Sequence, residues 1–394
     1  MNNFLLLYKT EIRKSLSKKS VWIAMAISLA LVLVIGLTNL SADGHRAYVK
    51  EQEEQLTAIS GSVINDAFLE NFKEEIAKQV DENPELYERL AAYDPAAIFQ
   101  NAAGQIGKSA LYDLLFNVVR DRENVATITS DDFYQLMRDD IISDGTELGS
   151  SDEELVIWLK IYDGIEKPMT YSYVLAYSNI QDVLYIIGWA LILNISIALA
   201  GIFADEKMYR TDAMILSSKN GRLPVCIAKI AAGSTIAVLE AIILLGSCLG
   251  VMFLFYGTTG WNAMIQNVIP SSPWNITIGN MMLLYLALAV LVSILFAMTN
   301  TLISLMTKSA VATMALHAAI IFGGLFNIPG KMGVISKIWQ LRPTMALYYG
   351  TFCNTFRYGK LNNVEASGLI YGGCIIIFIA ALLVSYRKAQ VESR

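Results

Sequence analysis

The sequence predicts an all-α membrane protein with six transmembrane helices, an N-terminal interfacial helix and a helical extracytoplasmic domain. Composition and patterning carry this prediction. Of 394 residues, 55% are hydrophobic and only 16% are charged, and most apolar residues lie in uninterrupted runs. Runs of about 20 apolar residues match the thickness of a bilayer, whereas helices of soluble proteins alternate apolar and polar faces.

The apolar runs give the positions of the spans. The first covers 21–40, and five more lie within 182–386, at 182–203, 228–256, 276–304, 309–328 and 368–386. Each is long enough to cross the hydrocarbon layer. Because the basic stretch before the first run is about 20 residues long, longer than the charged start of a signal peptide, we expect a retained span.

Basic residues predict the orientation, because Lys and Arg are enriched in cytoplasmic segments. With six spans, four basic segments fall on one side: the leader, the loops after the second and fourth spans, and the tail 387–394. We therefore expect a multi-pass protein of the cell membrane with both termini in the cytoplasm. This membrane would be the plasma membrane of a bacterium. One segment disagrees. The outside connection 329–367, predicted as helical, also carries basic residues: Lys331, Lys337, Arg342, Arg357 and Lys360.

Residues 1–20 are predicted to form a cytoplasmic interfacial amphipathic helix. Apolar residues recur at helical spacing while basic residues occupy other faces, which is typical of a helix lying on the inner leaflet. The apolar positions are Phe4, Leu5, Tyr8, Ile12 and Leu16. An ordinary basic leader is the alternative.

Residues 41–175 are too long for a loop and are predicted to form an acidic domain outside the cytoplasm, with 27 Asp and Glu against 11 Lys and Arg. Helix-start signals occur at Asn83-Pro84, at Asp94-Pro95 and in the capping box from Ser151 to Glu154. We therefore expect an all-helical domain. Its acidity would attract cationic ligands such as basic peptides, or would serve solubility alone.

Two ionisable residues fall inside predicted spans, where charge is costly and often functional. Glu240 lies eleven residues beyond Lys229, roughly 16 Å deep, and His317 lies nine residues beyond Lys308, about 13 Å deep. We predict that they share one layer of the bundle, either hydrogen-bonded or lining a substrate path, unless each is satisfied separately. Asn194, Asn280 and Asn300 are expected to make interhelical hydrogen bonds.

The loop 204–227 is the most informative segment. It begins after Gly201-Ile202-Phe203-Ala204-Asp205-Glu206 and ends in Ser217-Ser218-Lys219-Asn220-Gly221-Arg222 before Lys229. This pattern resembles the permease subunits of type-2 ATP-binding-cassette (ABC) exporters. The matching residues are Phe203, Glu206, Thr211, Leu216, Arg222 and Lys229, and the family's proline is replaced by Lys219. The resemblance covers the whole chain in outline, including Arg342-Pro343-Thr344 before the sixth span.

The resemblance implies a coupling helix at about 205–220 that docks onto a separate cytoplasmic ABC ATPase; a merely solvated loop is the alternative. The implied ATPase-coupling residues are Asp205, Glu206, Lys207, Arg210, Thr211, Asp212 and Arg222. ATP and Mg would then belong to that ATPase. The chain itself is expected to be a transport subunit without enzyme activity or cofactor, because its one phosphate-loop-like stretch has Ala102 in place of the first glycine.

The expected partners are the ATPase, a second permease of the same or a related chain, and the lipid bilayer, with no nucleic acid. The expected substrate is amphipathic: an antimicrobial peptide, a lipid or a hydrophobic drug. Two other functions stay open. Glu240 and His317 would serve an ion- or proton-coupled secondary transporter, and the outside domain would serve a ligand sensor, although no cytoplasmic segment is long enough for an output domain.

Overall fold

The computed structural model describes residues 2–42, 46–59, 61–93, 95–106, 108–119, 127–217, 223–326, 328 and 332–392. Helices dominate these ranges, and one two-stranded antiparallel sheet accompanies them. The helices are α1 (Asn2–Leu16), α2 (Lys19–Ala42), α3 (Arg46–Ile59), α4 (Asp66–Glu82), α5 (Pro84–Tyr93), α6 (Pro95–Gln105), α7 (Ser109–Val119), α8 (Ser130–Leu148), α9 (Asp152–Asp163), α10 (Leu175–Leu199), α11 (Ala204–Met208), α12 (Asp212–Ser217), α13 (Leu223–Tyr256), α14 (Ile278–Thr307), α15 (Ala310–Gly323), α16 (Val334–Trp339) and α17 (Asn363–Glu392).

Five stretches in the described ranges are long and apolar enough to cross a membrane. They are Lys19–Ser41, Leu175–Met208, Leu223–Tyr256, Ile278–Thr307 and Asn363–Lys388. The all-α membrane class is thereby confirmed. In the bundle, α10 packs against α2, α13 and α14, and α14 also packs against α15 and α17. The α10 and α14 spans are therefore mostly buried, whereas the α2, α13 and α17 spans expose most of their residues to the surroundings of the protein.

The helix at the fifth predicted span is shorter than expected. The run 309–328 forms only α15, whose 14 residues extend about 21 Å, less than the roughly 30 Å of a hydrocarbon core. Glycines end it, since Gly323 is its last residue and Gly324 its C-cap. The Gly324 carbonyl accepts a hydrogen bond from Arg342 Nε at 2.9 Å, which ties the connection back to the end of α15.

The connection 329–367 is not purely helical, which corrects the prediction. Its described part contains α16, two short 3-10 turns (Met345–Leu347 and Tyr349–Phe352) and a hairpin of β1 (Arg357–Tyr358) and β2 (Leu361–Asn362). Proline and glycine explain the difference, because Pro343 interrupts a helix and Gly359 adopts φ +69° in the tight hairpin turn.

Helices α3–α9 form an inserted domain with its own core, which includes Leu56, Phe72 and Phe133. Its helix starts were predicted correctly: α5 and α6 begin at their prolines, and Ser151 and Glu154 form the reciprocal capping box of α9. Asp94 lies outside the described residues. An antiparallel bridge between Val63 and Thr170 ties the beginning of the domain to its end, so the insertion closes on itself.

The inserted domain binds the connection 329–367 through Glu154. Its carboxylate accepts hydrogen bonds from the ammonium of Lys337 and from the backbone N–H of Arg357, the latter at 2.6 Å. Trp158 Nε1 donates to the Thr355 carbonyl at 2.9 Å. The connection and the domain therefore lie at the same end of the bundle, here called the domain end, and the basic residues that disagreed with the charge rule include a structural partner of Glu154.

We predict that Glu154→Gln weakens this attachment. Burial opposes ionisation of Glu154, but the hydrogen bonds from Lys337, Ser151 and Arg357 outweigh it, so the pKa of the carboxyl lies below its ordinary 4.5. Because the pKa falls on folding, the stabilisation is complete above about pH 4.5 and is lost as the pH falls further. Thermal unfolding at pH 7 should show a loss of about 1–3 kcal/mol.

The exposed neighbour Glu153 provides the control, since Glu153→Gln should leave stability unchanged. Equal unfolding temperatures for wild type and Glu154→Gln at pH 7 would contradict the prediction.

Candidate functional site

The most unusual group at the other end of the bundle is the fully buried ammonium of Lys229, near the start of α13. Its Nζ lies 2.7 Å from Glu206 Oε1 and 3.0 Å from Glu11 Oε2, and it donates to the Ile202 carbonyl at 2.5 Å. An ammonium has three donors, and all three find acceptors here. The site is therefore fully satisfied, as a charge within a helical bundle must be.

Two further lysines balance the carboxylates. Lys14 lies 3.3 Å from Glu206, and Lys18 lies 2.8 Å from Asp205. We name these six residues the Lys229 cluster: Glu11, Lys14, Lys18, Asp205, Glu206 and Lys229. Three cations face three carboxylates, so the cluster is neutral as a whole, and it joins α1, the segment between α10 and α12, and α13.

Helix α1 is held on the bundle by its polar face. Glu11 and Ser15 are buried, and Tyr8 OH forms a hydrogen bond with Thr235 Oγ1 of α13 at 2.9 Å. The predicted helix is confirmed as a helix. Its apolar residues Phe4 and Leu5 are exposed, at 40% and 50%, but Tyr8, Ile12 and Leu16 are half-buried. Only the first turns of the face that was expected to meet lipid are therefore free of the chain.

The turn after α10 brings Asp205 and Glu206 back toward the bundle. Ser304 Oγ of α14 accepts hydrogen bonds from the N–H groups of Phe203 and Ala204, both at 3.2 Å, and donates to the Ala200 carbonyl at 2.7 Å. Gly201 leaves room for the Asp205 carboxylate, because a Cβ at position 201 would lie 2.2 Å from Asp205 Oδ1 and displace it. A serine and a glycine thus fix the turn that carries the two carboxylates.

The aromatic ring of Phe203 completes the packing around the cluster. It lies beneath the Lys229 ammonium at 5.1 Å and beside the ring of Tyr386 at 5.6 Å. Tyr386 lies near the end of α17. The Lys229 cluster and the last turns of α17 therefore lie at one end of the bundle, here called the α1 end.

Beyond the cluster, α11 and α12 project a short exposed platform. Met208, Tyr209 and Met214 are 60%, 69% and 72% exposed. Arg210 adopts φ +56° between the two helices, and Lys207 pairs with Asp212 at 3.0 Å. Apolar side chains that stand out on a fixed turn, with charged residues around them, are typical of a protein-binding surface.

The predicted coupling residues therefore divide into two sets. Asp205 and Glu206 are buried in the Lys229 cluster, and Thr211 is half-buried with its N–H on the Glu206 carbonyl at 2.9 Å. Lys207 and Arg210 are exposed, and Asp212 is half-buried beside Lys207. Arg222 lies outside the described residues.

Sequence reasoning missed the contributions of α1 and of the apolar platform residues. Glu11 gave a signal, because it is the only acidic residue among the first 20, a stretch that carries five basic residues. An acid within a basic leader indicates a specific cationic partner. Met208, Tyr209 and Met214 gave no such signal, since nothing in their spacing distinguishes exposed apolar side chains from buried ones.

The two intramembrane candidates are buried, and they are not hydrogen-bonded to each other. Both carboxylate oxygens of Glu240 and both ring nitrogens of His317 lack a hydrogen-bond partner among the described residues. His317 instead meets the ring of Phe296 at 5.4 Å, edge to face. The hydrogen-bonded version of the prediction is therefore wrong: α15, which carries His317, packs mainly on α14 and α10.

Two of the three asparagines that were expected to make interhelical hydrogen bonds do so. Asn194 Nδ2 donates to Ser28 Oγ of α2 at 2.8 Å, and Asn300 Nδ2 donates to the Ile195 and Ser196 carbonyls of α10 at 3.2 and 3.0 Å. Their interhelical role is confirmed. Asn280 is exposed in the first turn of α14, where its backbone N–H donates to the Thr277 hydroxyl at 3.3 Å.

Comparisons with protein-family models, with curated proteins and with solved structures found no match to this chain.

We predict that Lys229→Met strongly destabilises the protein. The substitution leaves Glu11 and Glu206 buried without their shared cation, and loss of one partner from a buried ion pair costs about 3–5 kcal/mol. The unfolding temperature in detergent, followed by size-exclusion chromatography, measures the effect. Adding Glu11→Gln to Lys229→Met should restore part of the loss, because one unpaired buried charge is then removed.

The exposed ion pair of Lys207 and Asp212 provides a matched control. Lys207→Met removes a cation from the same loop, yet it should change stability by less than about 1 kcal/mol. A loss as large as that of Lys229→Met would mean that burial of the cluster is not what stabilises this end.

Proposed function

We propose that this chain is the membrane permease subunit of an ATP-driven ABC exporter, coupled to a separate cytoplasmic ATPase. The observation that carries the proposal is the platform of Met208, Tyr209 and Met214, held on the buried Lys229 cluster. A partner that delivers mechanical work must push on a surface that does not yield. Here the surface is apolar and exposed, and ion pairs fix its base to the α1 segment and to α13.

The cluster supplies a route for that work. Closure of two ATPase subunits changes the position of whatever is docked on them, and such a change is useful only if the two states differ in their contacts. Force on α11 and α12 passes through Glu206 to Lys229, which lies near the start of the long helix α13, and through Asp205 to Lys18 beside α1. The helix then carries the displacement along its 34 residues toward the domain end.

Contacts at the two ends support the six-span topology. The inserted domain and the connection 329–367 meet at Glu154, so an even number of crossings separates them. Six helices, α10 to α15, lie between them in sequence, and α11 and α12, with 5 and 6 residues, are too short to cross. An even number of crossings then requires α15 to cross together with α10, α13 and α14. With α2 and α17 the total is six. Both termini then share the cytoplasmic side with the platform, and the inserted domain lies outside a bacterial plasma membrane.

The substrate class we propose is amphipathic: an antimicrobial peptide, a lipid or a hydrophobic drug. ATP and Mg would be held by the ATPase, and two permease chains, identical or related, would form the pathway across the bilayer.

A secondary transporter is the second candidate, and one observation favours it. Glu240 and His317 are buried titratable groups without hydrogen-bond partners among the described residues, as expected of groups that exchange a coupled ion or proton. In that case Glu240→Gln abolishes transport while the ATPase partner is dispensable. In the exporter, Glu240→Gln should leave transport intact, and loss of the ATPase should abolish it.

Orientation can be tested by cysteine labelling. In a variant without the four native cysteines, Tyr209→Cys on the platform should react with an impermeant maleimide only after the membrane is opened. Glu147→Cys in the inserted domain should react in intact cells. Labelling of both positions from the same side would contradict the six-span topology.

Partner binding can be tested on the platform itself. We expect an ABC ATPase to co-purify with the wild-type chain, and the triple variant Met208→Ser, Tyr209→Ser, Met214→Ser to lose at least about tenfold of it, because central apolar contacts dominate interface energies. Co-purification from gently solubilised membranes measures the loss.

The triple variant is compared with Leu86→Ser and Val156→Ser, which remove exposed apolar side chains from the inserted domain. These should retain the ATPase. If the wild type brings down no ATPase, the exporter proposal fails.

A further inference from the structure

Two adjoining cavities open on the inserted domain, between α3, α4 and the start of α7. Their volumes are about 430 and 530 Å³, and they share Ile59, Glu75, Lys78 and Lys108 in their linings. We name them together the α4 cleft. Clefts of about 300–1,000 Å³ are the usual size of ligand sites. The α4 cleft lies far from the Lys229 cluster in the fold, since it belongs to the domain end.

The first cavity has an apolar floor. Phe72 and Leu111 are buried, and Phe68 and Ile59 are half-buried beside them. Aromatic and aliphatic side chains at the base of a cleft stabilise a ligand by removing its apolar surface from water. The floor therefore suits one face of an amphipathic ligand.

The rim of the cleft is formed mainly by charged residues of α4. Glu74, Glu75 and Glu82 are exposed along it, and Glu75 and Glu82 are seven residues apart, about 10.5 Å on a helix. Lys108 is paired with Glu75, which leaves Lys78 as the cation that opposes Glu74 and Glu82. The rim thus keeps a small negative charge.

The rest of the domain adds to the negative charge of the rim. Residues 41–175 carry 27 acidic and 11 basic side chains, so the cleft lies in a strongly negative field that concentrates cations and repels anions. From these observations we propose that the α4 cleft binds a cationic amphipathic peptide, with the peptide's apolar face on Phe68 and Ile59 and its basic side chains on Glu74 and Glu82.

This inference does not depend on the exporter proposal, since binding occurs on the isolated chain without an ATPase. The probe is a synthetic helical peptide of about 20 residues, with Leu on one face and Lys pairs spaced seven apart on the flanks. A second peptide keeps every Leu and carries Glu in place of each Lys. Fluorescence anisotropy of the labelled peptides measures binding to the full chain in uncharged maltoside micelles, with protein-free micelles as the blank.

The expected result is binding of the Lys peptide and not of the Glu peptide, weakened when salt is raised from about 50 to 500 mM because the charges are then screened. Glu82→Lys should reduce the affinity by about fivefold, whereas Lys78→Glu should raise it by a similar factor. Ala58→Trp, which places a large ring at the exposed wall of the second cavity, should abolish binding.

The matched control is Glu147→Lys on α8, an exposed charge reversal outside the cleft lining that changes the net charge of the domain equally. It should leave the affinity nearly unchanged. Three results would overturn the proposal: equal effects of Glu147→Lys and Glu82→Lys, equal binding of both peptides, which would indicate a general amphiphile or lipid site, or wild-type binding no stronger than to the micelles. None of them bears on whether an ATPase co-purifies.

Discussion

The structure depends on how an apolar helical bundle accommodates one buried ammonium. Lys229 is withdrawn completely from solvent, so each of its three protons must meet an acceptor within the protein. The Ile202 carbonyl supplies one acceptor, and Glu11 and Glu206 supply the other two. Two carboxylates around one cation leave an excess of negative charge, which Lys14 offsets beside Glu206, while Lys18 balances Asp205. Satisfying one lysine thus fixes three separate chain segments.

Different kinds of interaction stabilise the two ends of the bundle. The α1 end is a network of charges, which fixes position sharply because each ion pair has a short range and a defined geometry. The domain end combines one carboxylate, Glu154, with packed aromatic rings. The ring centroids of Trp158 and Trp274 are 5.2 Å apart, and those of Trp274 and Phe352 are 5.8 Å apart. The long helices α10 and α13 run between these ends.

Sequence reasoning succeeded where a short stretch of chain decides the structure. The apolar runs located five long helices, with ends that differ from the prediction by at most seven residues, and the capping box from Ser151 to Glu154 located the start of α9. It was less accurate where distant segments compete for the same groups. The run 309–328 is apolar enough for a full span, yet α15 ends at Gly323 and Arg342 binds the Gly324 carbonyl. The sequence likewise placed Glu240 and His317 at similar depths but carried no information on whether they meet.

By itself the sequence determined the membrane class, the helical character of the inserted domain and the importance of the segment around Glu206 and Lys229, because hydrophobic length, capping chemistry and charge are local properties. Only the tertiary structure decided that Asp205 and Glu206 face inward, that Glu11 reaches Lys229 across 218 positions of the chain, and that Lys337 belongs to Glu154. The reason is physical. A buried charge selects its partner by proximity in the folded bundle, and proximity between distant residues is a property of helix packing that no short segment specifies.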